Sequence, residues 1–110
     1  MTHKYHAVAT VIDGIRFASK AEARRYAELK LLEKAGKIAG LRCQPKYEIH
    51  PAFRVRGEKH RAIHYVGDFE YIENGGCIVE DVKGVETPLF KLKAKMFICR
   101  YPHIELRIIK

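Results

Sequence analysis

Residues 62–84 read AIHYVGDFEYIENGGCIVEDVKG, and the fold turns on this stretch. Ala62 to Ile72 alternates well enough to predict a strand. Asn74-Gly75-Gly76 supplies a hairpin turn, Cys77 to Lys83 the return strand, and Gly84 its end. The hairpin is chemically odd. Residues 62–82 hold Asp68, Glu70, Glu73, Glu80 and Asp81 and no Lys or Arg, a charge of −5. The chain of 110 residues has 21 Lys plus Arg against 13 Asp plus Glu, net +8, so the remaining 89 residues carry +13. Side chains alternate faces along a strand, so Asp81 shares a face with Lys83, and Glu80 shares the other with Val82. Asp68 and Asp81 lie at similar reach from the turn, so the two carboxylates can approach. Two such charges about 4 Å apart repel by roughly 4 kcal/mol at an effective dielectric near 20. Lys83 offsets part of that. A divalent metal would offset more, and carboxylate oxygens are the ligands Mg²⁺ prefers.

Upstream, Val8 to Phe17 reads as two short strands around an Asp13-Gly14 turn. Ser19-Lys20-Ala21-Glu22 has the capping-box pattern and opens a helix that Gly36 stops. At about 100° per residue, with Glu22 as zero, Tyr26 falls at about 40°, Leu29 at about −20° and Leu32 at about −80°. Glu22 is therefore in line with the apolar stripe. It is either a capping carboxylate or a third acid facing the sheet. Leu41 to Ile49 is extended and interrupted by Pro45, which suits an edge. Residues 50–61 are polar and basic and predict a loop or irregular strand. Downstream, Thr87-Pro88 caps a second helix that runs to about Arg100, Pro102 breaks it, and Ile104 to Ile109 is a last strand. The element order β-β-α-β-β-β-α-β predicts an α/β protein with a mixed sheet flanked by two helices.

The length bounds the chain to one domain, and 47% apolar residues exclude disorder. No apolar run is long enough to span a membrane, and residues 1–20 lack the apolar core of a signal peptide. Cys43, Cys77 and Cys99 are odd in number and widely spaced, which excludes a disulfide framework and predicts reduced thiols. His60 and His64 lack the further ligands a zinc site needs. The net charge favours nucleic acid as partner. Arg54, Arg56, Lys59, His60 and Arg61 form a basic segment, read as a DNA backbone clamp or as a solvated loop. On the second helix, Lys93 leans toward the sheet side, whereas Lys91 points away.

Glu22, then Gly67-Asp68, then Asp81-Val82-Lys83 resembles the PD-(D/E)XK nuclease superfamily. The chain also resembles small phage and prophage proteins of that superfamily. The likeness covers residues 15 to 101, including Gly36-Lys37-Ile38, Gln44-Pro45, Tyr65 to Asp68, Glu80 to Gly84, and Thr87 with Lys93 and Lys95. The order also looks like that of phage junction-resolving endonucleases. Gly67 stands where the motif has its nominal proline.

The resemblance implies a restriction-endonuclease-like fold, with 1–110 as one nuclease-like domain. It implies Mg²⁺- or Mn²⁺-dependent hydrolysis of DNA phosphodiester bonds, possible action on branched DNA, and a role in recombination, repair or replication. Asp68, Asp81 and the Val82 carbonyl would hold the metal, with Glu22 binding directly or through water. Lys83 would orient the attacking water and stabilise the transition state. Glu80, adjacent to Asp81, competes for the ligand role, and strand alternation favours Asp81. Lys93, Lys95, Gln44, Arg56 and Arg61 are candidate substrate contacts; an amide capping a loop is an equal reading of Gln44. The expected setting is the cytoplasm of a bacterial host, with homodimerisation through the last strand open. The rival reading is a non-catalytic DNA-binding module of nuclease-like fold.

Overall fold

A computed structural model describes residues 9–110. Strands β1 (Thr10–Ile12) and β2 (Ile15–Phe17) form the expected first hairpin. Asp13 and Gly14 both have positive φ, 53° and 76°, the twist that a two-residue hairpin turn requires. Val8, placed in this hairpin by sequence, lies outside the described residues. Helix α1 (Lys20–Lys34) begins at Ser19, whose hydroxyl accepts from the Glu22 N–H at 3.2 Å.

The main sheet has four strands: β3 (Ala39–Cys43), β8 (Phe69–Glu73), β9 (Gly76–Val82) and β10 (Ile104–Ile109), in the order β10-β9-β8-β3. The β3–β8 and β8–β9 pairs are antiparallel and β9–β10 is parallel. Helix α2 (Pro88–Arg100), capped by the Thr87 hydroxyl, supplies the crossover that a parallel pair needs. The expected α/β class, a mixed sheet flanked by two helices, is the architecture observed.

Alternation along β9 assigns each helix its own face. Ile78 joins Phe17, Tyr26, Leu29, Phe69 and Tyr71 in a core under α1. Val79 joins Ile49, Tyr65, Ala94, Phe97 and Ile104 in a second core under α2. Among the described residues no helix is long and apolar enough to cross a membrane.

Two expected strands are each broken in two. The extended 41–49 segment divides at Gln44-Pro45 into β3 and β4 (Lys46–His50), and 62–72 divides at Gly67-Asp68 into β7 (Ile63–Val66) and β8. Both halves turn out of the sheet together. The Gln44 N–H donates to the Asp68 carbonyl at 2.8 Å and the Gly67 N–H to the Pro45 carbonyl at 3.0 Å. The pairing register is unchanged across the bend, from Cys43↔Phe69 to Lys46↔Val66. One long, sharply bent hairpin is the result. Its end decides between the loop and the irregular strand expected over 50–61 in favour of strand: β5 (Phe53–Val55) and β6 (Glu58–His60) pair antiparallel. The turn is Arg56-Gly57, with φ of 51° and 76°, the backbone of an Asn-Gly turn without its usual first residue.

Under α1 lies the carboxylate of Glu80, at 0% exposure. Arg25 grips it with Nε at 2.7 Å and Nη2 at 2.6 Å, and the Tyr71 hydroxyl donates to it at 2.5 Å. Arg25 keeps 23% of its side chain exposed, so the two partners are not equivalent. Removing Arg25 strands a buried charge, whereas removing the carboxylate leaves a cation that still reaches water. Arg25→Ala is therefore expected to cost about 3–5 kcal/mol in urea unfolding followed by circular dichroism, and Glu80→Gln less; equal costs would contradict this arrangement.

Burial, aided by the carboxylates they donate to, pushes the Tyr71 and Tyr26 phenols up to about 12 from an ordinary 10.0. The folded state thus holds these protons more tightly than the unfolded chain. Their contribution is fully present below pH 10 and lost as pH rises from about 10 to 12. Thermal midpoints are expected to fall across that window, and to fall less in Tyr71→Phe and Tyr26→Phe.

Candidate active site

Because Glu80 points to α1, its neighbour Asp81 points to α2. Asp81 is 2% exposed. It accepts from the Tyr65 hydroxyl at 2.6 Å and pairs with Lys83 Nζ at 3.3 Å. Lys83 in turn lies over the Phe90 ring, 4.7 Å from its centre, a cation–π placement that restrains the long side chain. Of the two adjacent acids, Glu80 has both oxygens engaged under the other helix, whereas Asp81 lines the cavity described below.

Asp68 sits at the bend of the long hairpin, directly before Phe69, the first residue of β8. Its N–H donates to the Glu80 carbonyl at 2.9 Å, and its Oδ2 accepts from the Val82 N–H at 2.7 Å. This clasp holds the Asp68 carboxylate against the end of β9. Burial pushes the Asp68 carboxyl up to about 7; the Val82 N–H opposes that shift, and the Asp81 and Glu22 charges add to it. The helix is capped by the Ser19 hydroxyl, which accepts from the Glu22 N–H. The Glu22 carboxylate accepts from that same hydroxyl at 2.9 Å and adds to the negative charge felt by Asp68.

Gly67 has a steric reason. A Cβ there would lie 2.7 Å from Val79 Cγ1 and 3.4 Å from the Glu80 carbonyl. The backbone before Asp68 presses directly on β9, and no side chain fits where the motif has its nominal proline.

Asp81 and Lys83 open into a cavity of about 250 Å³. Its walls are His64, Tyr65 and Val66 of β7, and Thr87, Leu89, Phe90 and Lys93 at the start of α2. Lys93 thus faces the same space as Lys83, as its helical angle predicts. The other expected substrate contacts lie elsewhere. Lys95 lies along grooves on other sides of α2, beside Ile108 in one and Ile49 in another. Arg56 is at the tip of the β5–β6 hairpin, and Arg61 is exposed between β6 and β7. The Gln44 side chain is exposed, but its backbone N–H holds the Asp68 carbonyl.

Arg25 and Tyr65 escaped the sequence reading. A signal existed for both. On the helical wheel that places Glu22, Arg25 falls at about −60°, between Leu29 and Leu32. Tyr65 lies two residues from Gly67 on a strand that reaches the same carboxylates.

Among the described residues no three or more His, Cys, Asp or Glu side chains form a ready metal-ligand group. The oxygen donors that do converge, Asp68 and Asp81 with Glu22 beside them, are hard ligands of the kind that suit Mg²⁺ or Mn²⁺. Their mutual repulsion is what a divalent cation would relieve, so the donor set fits such an ion.

The chain belongs to the family described as "Protein of unknown function (DUF1064)", whose model matches residues 2–110. Neither the curated proteins nor the solved structures contain a match.

With its carboxyl raised in the folded state, Asp68 favours folding below about pH 4, and that contribution is lost as pH rises toward 7. The metal-free protein is therefore expected to lose thermal stability across that window, and Asp68→Asn to be a few degrees more stable than wild type near pH 8. Mn²⁺ is expected to raise the wild-type midpoint more at pH 8 than at pH 5. An Asp68→Asn midpoint below wild type at pH 8 would contradict the assigned repulsion.

Proposed function

We propose that this protein is a metal-dependent DNA endonuclease of the PD-(D/E)XK type, phage or prophage encoded, acting on DNA in recombination, repair or replication. The observation that carries the reading is Asp68, clasped to the Val82 N–H, beside the Asp81–Lys83 pair at one end of β9, with the Glu22 charge acting on Asp68. The 89 residues outside 62–82, the framework, carry +13. Cations spread over the framework suit a polyanion; paired acids at its centre suit a polyanion only if a metal joins them.

Asp68 and Asp81, with the Val82 carbonyl, would hold Mg²⁺ or Mn²⁺, and Glu22 would contribute directly or through water. When bound, the ion offsets charge on the scissile phosphate and makes water a stronger nucleophile near neutral pH. The chain's own groups do the rest. Tyr65 fixes the Asp81 carboxylate. Lys83, restrained by Asp81 and Phe90, orients the attacking water and stabilises the negative charge that grows at the phosphate in the transition state. Lys93, across the cavity, offers a second cation to the same phosphate. Arg56, Arg61 and Lys95, outside the cavity, are left to grip the nucleic acid backbone.

The test is purified protein with Mg²⁺ or Mn²⁺ on supercoiled plasmid, linear duplex and a four-way junction. Wild type is expected to cut, and Asp81→Asn and Lys83→Ala each to lose at least about 10²-fold in rate. Equal cutting by wild type and Asp81→Asn would refute the assigned site. Salt-sensitive DNA binding without cleavage would leave the non-catalytic binding module.

A further inference from the structure

The long hairpin does more than bring Asp68 to β9. Beyond the bend it continues as a two-stranded ribbon with a single shift in register, at Ile49. His50↔Ile63, Phe53↔His60, Arg54↔Lys59 and Val55↔Glu58 then keep one register to the Arg56-Gly57 turn. The base is anchored under α2: Tyr47 packs on Phe97 and Tyr101, and the Tyr101 hydroxyl donates to the Glu48 carbonyl at 2.8 Å. The end is bare, with residues 51–59 all exposed.

An isolated two-stranded ribbon has little stability of its own. This one also places Arg54 directly opposite Lys59, and like charges in that position destabilise a ribbon. Arg56 adds a third cation at the tip, and Glu58 is the sole acid from 49 to 67. The opposite face carries Phe53 stacked on His60, ring centres 4.6 Å apart and planes 7° from parallel. Such a ribbon is cationic on one face; the other carries the Phe53–His60 stack together with Val55 and Glu58, whose carboxylate is 3.3 Å from His60 Nε2. At roughly 3.4 Å per residue, Pro51 to Arg56 extends roughly 17–20 Å. The major groove of B-form DNA, about 12 Å wide and 8.5 Å deep, admits a two-stranded ribbon. The ribbon starts at the cavity itself, since its base strand β7 supplies His64, Tyr65 and Val66 to the wall.

We propose that residues 46–66 form an arm whose β5–β6 end seats in the major groove of duplex DNA, next to the phosphate presented to Asp81 and Lys83. Arg54, Arg56 and Lys59 contact the phosphates flanking that groove, and the Phe53–His60 face lies toward the base edges. This deepens the proposed function and rests on DNA being the substrate.

The test is binding of the full chain to a 30-bp DNA duplex, by fluorescence anisotropy in chelator so that no cutting intervenes. Arg54→Ala/Arg56→Ala/Lys59→Ala is expected to weaken binding at least tenfold. It should also flatten the dependence of log K on log salt by about 2 to 3, at about 0.9 per phosphate contact. Wild type is expected to shield guanine N7 atoms from dimethyl sulfate, and the triple variant and Phe53→Ala to lose that shielding. An RNA duplex of the same sequence should bind at least tenfold more weakly, because its major groove is too narrow and deep to enter. Affinity within twofold of wild type in the triple variant, persistent N7 shielding, or equal binding of the RNA duplex would overturn the arm. Plasmid cutting with Mn²⁺, scored separately, keeps the two readings apart. Cutting without an arm effect overturns only the arm, arm-dependent binding without cutting overturns only the nuclease, and no DNA binding by wild type overturns both.

Discussion

The grip of Arg25 on Glu80 sets the register of everything around it. Adjacent strand residues face opposite ways, so a slip of one residue along β9 would exchange Glu80 and Asp81. Tying Glu80 to α1 through both of its oxygens makes that slip prohibitive, because an unpaired carboxylate would then be buried. A buried ion pair of this kind adds little net stability over an apolar pair of the same size. Its consequence is orientation: with Glu80 held under α1, Asp81 faces α2, Tyr65 and Lys83.

The same logic divides the acidic hairpin. Three of its five carboxylates are met by arginines of the basic framework: Glu80 by Arg25, Glu70 by Arg42 and Glu73 by Arg107. Asp81 instead has a lysine and a tyrosine hydroxyl, and Asp68 has the Val82 N–H with two carboxylates nearby. The excess of acid along the sequence is thus mostly structural ion pairing. The remainder is Asp68 and Asp81 at the end of β9, with Glu22 of α1 acting on Asp68; of the three, Asp81 lines the cavity.

Much of this was legible in the sequence because it rests on local rules. Ser19, Asp13-Gly14, Asn74-Gly75 and Thr87-Pro88 each announce a cap or turn through their own backbone preference, and each occurs as read. The facing of Asp81 and Lys83 follows from the period of a strand, and the inward lean of Lys93 from the period of a helix. What stayed hidden depends on contacts between distant segments. The breaks at Gln44-Pro45 and Gly67-Asp68 arise from hydrogen bonds between the two strands and from Val79 pressing on Gly67, which neither segment displays alone. Arg56-Gly57 turns the chain with an arginine at positive φ, where a local preference would have asked for Asn or Asp. Arg25 sat in the apolar stripe, yet its buried partner lies 55 residues away.

The bend at Asp68 joins the two halves of the argument. Pairing continues through it without a change of register, so the strand that delivers Asp68 to β9 is the same strand that, one step earlier, lines the cavity and, further out, carries the basic ribbon. Asp68 and the ribbon are parts of one hairpin anchored at Tyr47, Tyr65 and Tyr101. The paired path from the ribbon end therefore leads to its base, where Tyr65 donates to Asp81 and Gly67 abuts β9. A separate loop tethered by flexible chain would have no such path. The placement of the ribbon end relative to the Asp68 carboxylate is thus set by strand pairing along one bent hairpin.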